Sequence, residues 1–171
     1  MARYLEKEGV GKMDLLVNLY DLQCRYEPEK LKEHGIVIKR ALSPDKTAVL
    51  DFMKTYYTQG WADETEHAFS NSPVTCYIAV KEKEIVGIAA YDATAKGYFG
   101  PIAVKPGVKG GGVGPALLHD TMLGMKEAGY GYAVIGWVDD AVGFYDKCIK
   151  HTKIPDSEPE KTLYRNLCGL E

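Results

Sequence analysis

The sequence predicts a mixed α/β domain built on one sheet, mostly antiparallel, with helices on both of its faces. Three observations carry that prediction. Short alternating apolar runs recur between segments whose apolar residues fall at helical spacing. Two of the runs, Val74 to Val80 and Ile85 to Tyr91, flank the tight KEKE turn at 81–84, which forces an antiparallel hairpin. Two others, Tyr98 to Val104 and Tyr132 to Val138, are separated by a glycine-rich loop and a helical stripe. That spacing suits a strand–helix–strand unit with parallel strands.

Taken in order, residues 1–12 are charged and broken by glycine, and are expected to fray. Leu15 to Leu22 is apolar and fits either a strand or a helix. EPEKLKEHG reads as a short helix stopped by Gly35, and Ile36 to Leu42 alternates as a strand. Ser43-Pro44-Asp45 has the chemistry of a helix start, with Ser43 as cap and Pro44 in the first helical position. Val49, Met53, Tyr56 and Tyr57 stripe that helix, Gly60 is read as its end, and Trp61 to Phe69 as a second short helix. After the glycine loop, Leu117, Leu118, Met122 and Met125 stripe a helix running to about Gly129. Asp139 to Ile149 reads as a helix with Asp caps. Thr152 and Leu163 to Asn166 are read as short strands.

A chain of 171 residues suits one domain with a full core. A net charge of −3 gives no reason to expect nucleic acid or an anionic membrane as partner. No apolar run approaches the ~20 residues of a membrane span. The N-terminus lacks an apolar signal core, so a cytoplasmic location is expected. Cys24, Cys76, Cys148 and Cys168 form no C-x-x-C pair and read as reduced, mostly half-buried thiols. The histidines His34, His67, His119 and His151 show no metal-ligand spacing, so no metal is expected. His119 beside Asp120 reads as a solvated helix residue, with catalysis as the outside alternative.

The chemistry concentrates in YFGPIAVKPGVKGGGVGPALL, residues 98–118. Glycines immediately before a helix leave backbone N–H groups uncovered, and the helix start adds partial positive charge. The pair makes a site for a phosphorylated ligand. A Walker loop is excluded, because no Gly-Lys-Ser or Gly-Lys-Thr occurs. A dinucleotide fingerprint fails too, since its third position falls on Pro115 or Leu117. The pattern V-x-P-x-x-[QR]-G-x-G-x-[GA] fits Val104, Pro106, Gly110, Gly112 and Gly114, with Lys109 in the Gln/Arg place. Downstream, AVGFYDKC (141–148) fits A-x-x-F-Y-x-K.

Loop and helix together resemble the GNAT family of N-acetyltransferases, over roughly residues 36–170. The resemblance implies a 36–171 acetyltransferase domain, with residues 1–35 as an extension packed on it or frayed from it. It implies a strand pair that splays apart, acetyl-CoA as co-substrate, direct transfer to a small-molecule or peptide amine, and a homodimer as one assembly. Proline cannot donate to a strand ladder, so Gly100-Pro101 marks a bulge or edge. By resemblance Ile102, Ala103 and Val104 then pair with the pantetheine arm. The pyrophosphate falls to Lys109, Gly110, Gly111, Gly112, Val113 and Gly114. Ala141 and Phe144 lie along the cofactor, and Tyr145 protonates the leaving thiolate. Three positions depart from the pattern: Lys109 lacks the planar guanidinium fork, Pro115 has no N–H, and Val138 stands where Asn is frequent.

A general base is not singled out by the sequence; Asp92, Glu84, Tyr91 and Tyr98 are its candidates. Tyr98 and Trp61 are assigned to the acceptor. Trp61 lies beside Asp63, Glu64 and Glu66, and an aromatic face with carboxylates suits a cationic amine. A solvated acidic helix explains the same residues. A non-catalytic CoA-binding module on the same fold is the alternative function.

Overall fold

The computed structural model describes residues 12–108 and 111–168. Its seven-stranded sheet runs β2-β3-β4-β5-β6-β1-β7. The strands are β1 (Met13–Asn18), β2 (Ile36–Arg40), β3 (Cys76–Lys81), β4 (Glu84–Tyr91), β5 (Tyr98–Val104), β6 (Tyr132–Val138) and β7 (Thr152–Lys153). All pairs are antiparallel except β5 with β6. The helices are α1 (Pro28–Glu33), α2 (Lys46–Tyr56), α3 (Gln59–Ala68), α4 (Val113–Glu127) and α5 (Val142–Cys148). None is long and apolar enough to cross a membrane, among the described residues.

Two cores follow from the period-2 alternation of the strands. On one face, Leu117, Leu118, Met122 and Met125 of α4 pack with Leu15, Val17, Phe99 and Ile135. On the other, Val49, Phe52 and Met53 of α2 and Ala62 and Ala68 of α3 pack with Ile78, Ile88 and Ala103. The hairpin turn is two residues, Glu82 and Lys83, both at positive φ as its twist requires. β1, from the stretch that the sequence sets apart before residue 36, is an inner strand between β6 and β7.

Four local expectations are corrected. Ser43 does not cap α2; it opens a 3₁₀ turn, and Asp45 accepts from the Leu42 N–H instead (2.9 Å). Gly60 does not end α2, which stops at Tyr56. It lies in the first turn of α3, whose cap is Thr58, accepting from the Trp61 N–H. Leu163–Asn166 is a 3₁₀ turn, not a strand. No aspartate side chain caps α5; the Asp139 and Ala141 carbonyls take its first amides.

Candidate active site

The parallel pair β5–β6 is joined only at Tyr98↔Val134 and Phe99↔Ile135. It ends because both strands bulge at the next level. On β5, two residues (Gly100, Pro101) face one on β4, and Gly100 takes a φ of 130° that favours glycine. On β6, Gly136 and Trp137 face the single residue Asp14 of β1. Trp137 sits at φ 51°, a strained value for a bulky side chain. The bulge frees the Trp137 N–H, and the Asp14 carboxylate accepts it at 2.8 Å.

Beyond this vertex β5 has a free edge. Lys105 N–H donates to Val86 O on β4, so alternation turns the Val104 and Ile102 backbone groups away from β4. Ala103 is the odd one among the three expected contacts: its carbonyl faces β4 and lies 3.0 Å from where a Gly87 side chain would begin. The free Val104 pair is engaged within the chain. The Tyr57 hydroxyl donates to Val104 O (2.8 Å) and accepts from Val104 N–H (2.9 Å). Trp61 stacks on Tyr57, centroids 5.2 Å apart and planes within 5°. Trp61 therefore lies one ring away from the strand gap.

The start of α4 closes one end of this gap. Gly112 stands at its N-cap with φ 79°, and the helix geometry leaves the Val113 and Gly114 amides without acceptors one turn back. Pro115 adds none. Gly111 N–H already donates to Val108 O (3.3 Å). Lys109 and Gly110 lie outside the described residues. A side chain at Gly114 would meet the Phe144 ring at 3.2 Å and Val104 at 3.8 Å. So the start of α4, the β5 edge at Val104 and α5 converge. Ala141 is the exposed N-cap of α5, while the Val113 side chain is buried under β4. Tyr145 is 5% exposed, and burial holds its phenol well above the ordinary value.

A polar cluster surrounds Gly136 on the α3 side of the vertex. The Tyr98 ring lies over Gly136, 2.9 Å from where a Cβ would stand, and the Tyr164 hydroxyl presses on the same spot. Tyr164 packs edge-on against Tyr98 and Trp137 (6.4 and 5.0 Å). Its ionisation is pushed up by burial first, then by the charges of Asp14 and Glu64 and by Tyr98 and Tyr145. Burial raises the Tyr98 phenol first, and the Asp14 carboxylate raises it further. Burial raises Asp14, outweighing the lowering by Trp137 and Tyr98. Of the three acids near Trp61, only Glu64 turns inward. It accepts from Thr94 and is raised by burial. Asp63 bonds Gln59, and Glu66 pairs with Lys46 at the surface.

The other base candidates lie elsewhere. Asp92 holds the β4–β5 turn through Gly97 N–H (2.7 Å), Tyr130 (2.7 Å) and Lys96 (2.9 Å). Glu84 is exposed opposite Lys105. Tyr91 is 2% exposed and meets Arg40. His119 is stacked on Tyr26 and bonded to Asp120. Asp14 and Tyr164 were not among the sequence candidates. Asp14 sits in an apolar stretch, and its partner Trp137 is 123 residues away.

A family model described as the acetyltransferase (GNAT) family matches residues 38–148. No curated protein matches the chain. Solved structures with the same fold include the GCN5-related glucosamine N-acetyltransferase region of a fungal multi-domain GH3 β-N-acetylglucosaminidase. It has a TM-score of 0.64 at 11% identity, over 83% of this chain and 20% of that one. A Drosophila protein gives 0.58 at 11% identity, over 83% and 47%. A GNAT family acetyltransferase from Brucella melitensis, in complex with acetyl-CoA, gives 0.50 at 17%, over 75% and 94%. The chain thus spans a fifth and about half of the first two. The match over most of its length, on a sheet that splays at β5–β6 beside a glycine loop, shows that the chain belongs to the GNAT family of acetyltransferases.

Proposed function

We propose that the chain transfers the acetyl group of acetyl-CoA directly to the primary amine of a small, cationic acceptor. The observation that carries this is the convergence at one vertex of a free strand edge, a helix start and a buried acidic cluster. The edge groups of Ile102 and Val104 suit a pantetheine arm, which adds to β5 as a strand would. The loop from Lys109 to Gly114 suits the pyrophosphate. Ala141 and Phe144 flank the arm, and Ala103 contributes packing rather than backbone pairing.

Attack by the neutral amine forms a tetrahedral oxyanion, and collapse breaks the C–S bond. Tyr145, kept protonated by burial, donates to the departing thiolate, whose own basicity rises in the same dry surroundings. The acceptor ammonium is drawn by Glu64, with Trp61 and Tyr98 as aromatic walls. A CoA-binding module without catalysis has one observation in its favour: Tyr57 already occupies the Val104 pair. Thiol release from acetyl-CoA, followed over butylamine, 1,4-diaminobutane and glucosamine, separates the two. Amine-dependent release supports the enzyme. Acetyl-CoA binding with no release on any amine supports the module.

A further inference from the structure

We propose that Asp14 of β1 is the proton store of this reaction, receiving the acceptor's proton through the Tyr98 hydroxyl. The inference rests on the acetyltransfer reading and adds to it the group that removes the ammonium proton.

The geometry is a path across three strands. Tyr98 is on β5, Gly136 on β6 and Asp14 on β1, all facing the α3 side. Only a residue without a side chain at 136 lets the Tyr98 ring cross β6, since a Cβ there would stand 2.9 Å from Cε1 of Tyr98. The crossing lays the ring of a vertex residue on Gly136, which with Trp137 faces the buried Asp14 across the β6–β1 pair. Asp14 is 3% exposed. It is held from every side. One oxygen accepts the Trp137 N–H at 2.8 Å, its own N–H donates to Ser157 Oγ at 2.8 Å, and Ile154 N–H donates to its carbonyl at 2.9 Å. The titratable groups facing the cluster are Tyr98 on β5, Tyr164 from the C-terminal 3₁₀ turn, Glu64 on α3 and Tyr145 on α5. Lys12 lies over the Trp137 ring at 5.1 Å. No base stronger than a carboxylate stands among those on the α3 side. Burial raises Asp14 from its ordinary value, which makes it a better proton acceptor than an exposed aspartate.

The protons balance. The ammonium gives one proton to the Tyr98 oxygen while Tyr98 passes its own to Asp14. The amine lone pair forms the C–N bond and the C–S bond breaks. The second amine proton leaves with the thiolate as thiol, by way of Tyr145. Asp14 then returns its proton through Tyr98, which is half-buried, to solvent once the product has left. Tyr98 touches the substrate and is the catalytic residue; Asp14 acts through it as a positioning residue.

The test is the pH profile of kcat for thiol release with butylamine, in wild type, Asp14→Asn and Tyr98→Phe. Asn keeps an oxygen for the Trp137 N–H, and Phe leaves that bond untouched. Wild type levels off well below the amine's own pKa. Each variant falls about 100-fold at pH 7, the size of a lost acid–base group. Its rate then climbs tenfold per pH unit toward the amine's own pKa, while KM for acetyl-CoA stays within twofold. Variants that keep the wild-type plateau overturn the relay and leave acetyltransfer standing. So does an Asp14→Asn protein that melts lower, alongside a Tyr98→Phe protein with a wild-type profile, because that combination means support of the bulge alone. A wild type that binds acetyl-CoA and acetylates no amine overturns the reading and the relay together.

Discussion

Single atoms at Gly136 and Tyr145 decide what the vertex can do. Gly136 is covered by Tyr98 and Tyr164 rings with no room for a methyl group. Gly136→Ala therefore overpacks a fixed site, and we expect a loss of roughly 1–3 kcal/mol in urea unfolding. An unchanged midpoint would mean that the two tyrosines yield freely. Tyr145 sits on the buried side of α5, with its phenol raised by burial first and by Asp139 and Cys148 next. Tyr145→Phe is expected to lower kcat by about 100-fold while the acetyl-CoA Kd, measured by calorimetry, stays put. A full kcat with chemistry rate-limiting reduces Tyr145 to a packing residue. The A-x-x-F-Y-x-K pattern marks Tyr145 in the sequence as a candidate. Asp14 carried no such mark: an aspartate beside Leu15 and Leu16 looks like a strand residue at a surface. Its contact with Trp137 appears only when β1 lies against the bulge of β6, a pairing of segments over a hundred residues apart.

Among the elements, alternation of period 2 located the strands from β2 to β6 to within two residues at either end, and left the stretch that holds β1 open between strand and helix. β5 and β6 begin and end where the pattern does. The α2–α3 junction was misread because glycine is the strongest local breaker, and the Thr58 cap two residues earlier outweighed it. Leu163–Asn166 was read as a short strand, yet it forms a 3₁₀ turn that carries Tyr164 inward. The corrected junction has a consequence for binding. Tyr57, just past α2, donates and accepts at Val104 on the edge that the pantetheine arm would use. In the proposed binding mode, acetyl-CoA displaces Tyr57 and so disturbs its stack with Trp61. Tyr57→Phe removes the competing bonds, worth about 0.5–1.5 kcal/mol net. Acetyl-CoA should bind about 2- to 10-fold tighter, and the change in tryptophan fluorescence on binding should shrink. Weaker binding in the variant would mean that Tyr57 contacts the cofactor rather than standing in its place. At the other end of the gap, Pro115→Ala restores an amide in the first turn of α4. It should tighten acetyl-CoA by about one hydrogen bond, ~0.5–1.5 kcal/mol, and an unchanged Kd would place the pyrophosphate off that turn.

For the whole molecule, the acidic cluster sets a pH dependence opposite to that of an ordinary surface carboxylate. Asp14 and Glu64 are both raised by burial. Below their unfolded values, near 3.8 and 4.5, both are protonated in the folded and unfolded chains and cost nothing. As pH rises, the unfolded chain ionises first, so folding loses stability until the folded groups ionise as well. The penalty is then constant through neutral pH. Asp92 acts the other way. Burial is its largest influence, but Tyr130, Gly97 and Lys96 together hold it below the usual range. Its contribution is present above 3.8 and is lost as acid protonates it. The double variant Asp14→Asn, Glu64→Gln keeps Asp92 and removes only the penalty. Its melting temperature should exceed that of wild type at pH 7, and the gain should shrink to nothing by about pH 3.5. Acetyl transfer should fall in the same protein. A double variant that melts below wild type at pH 7 would mean that attractive contacts at the two carboxylates outweigh their burial. More stable and less active is the result expected of the proposed relay, in which buried carboxylates cost stability and serve to hold and deprotonate the ammonium.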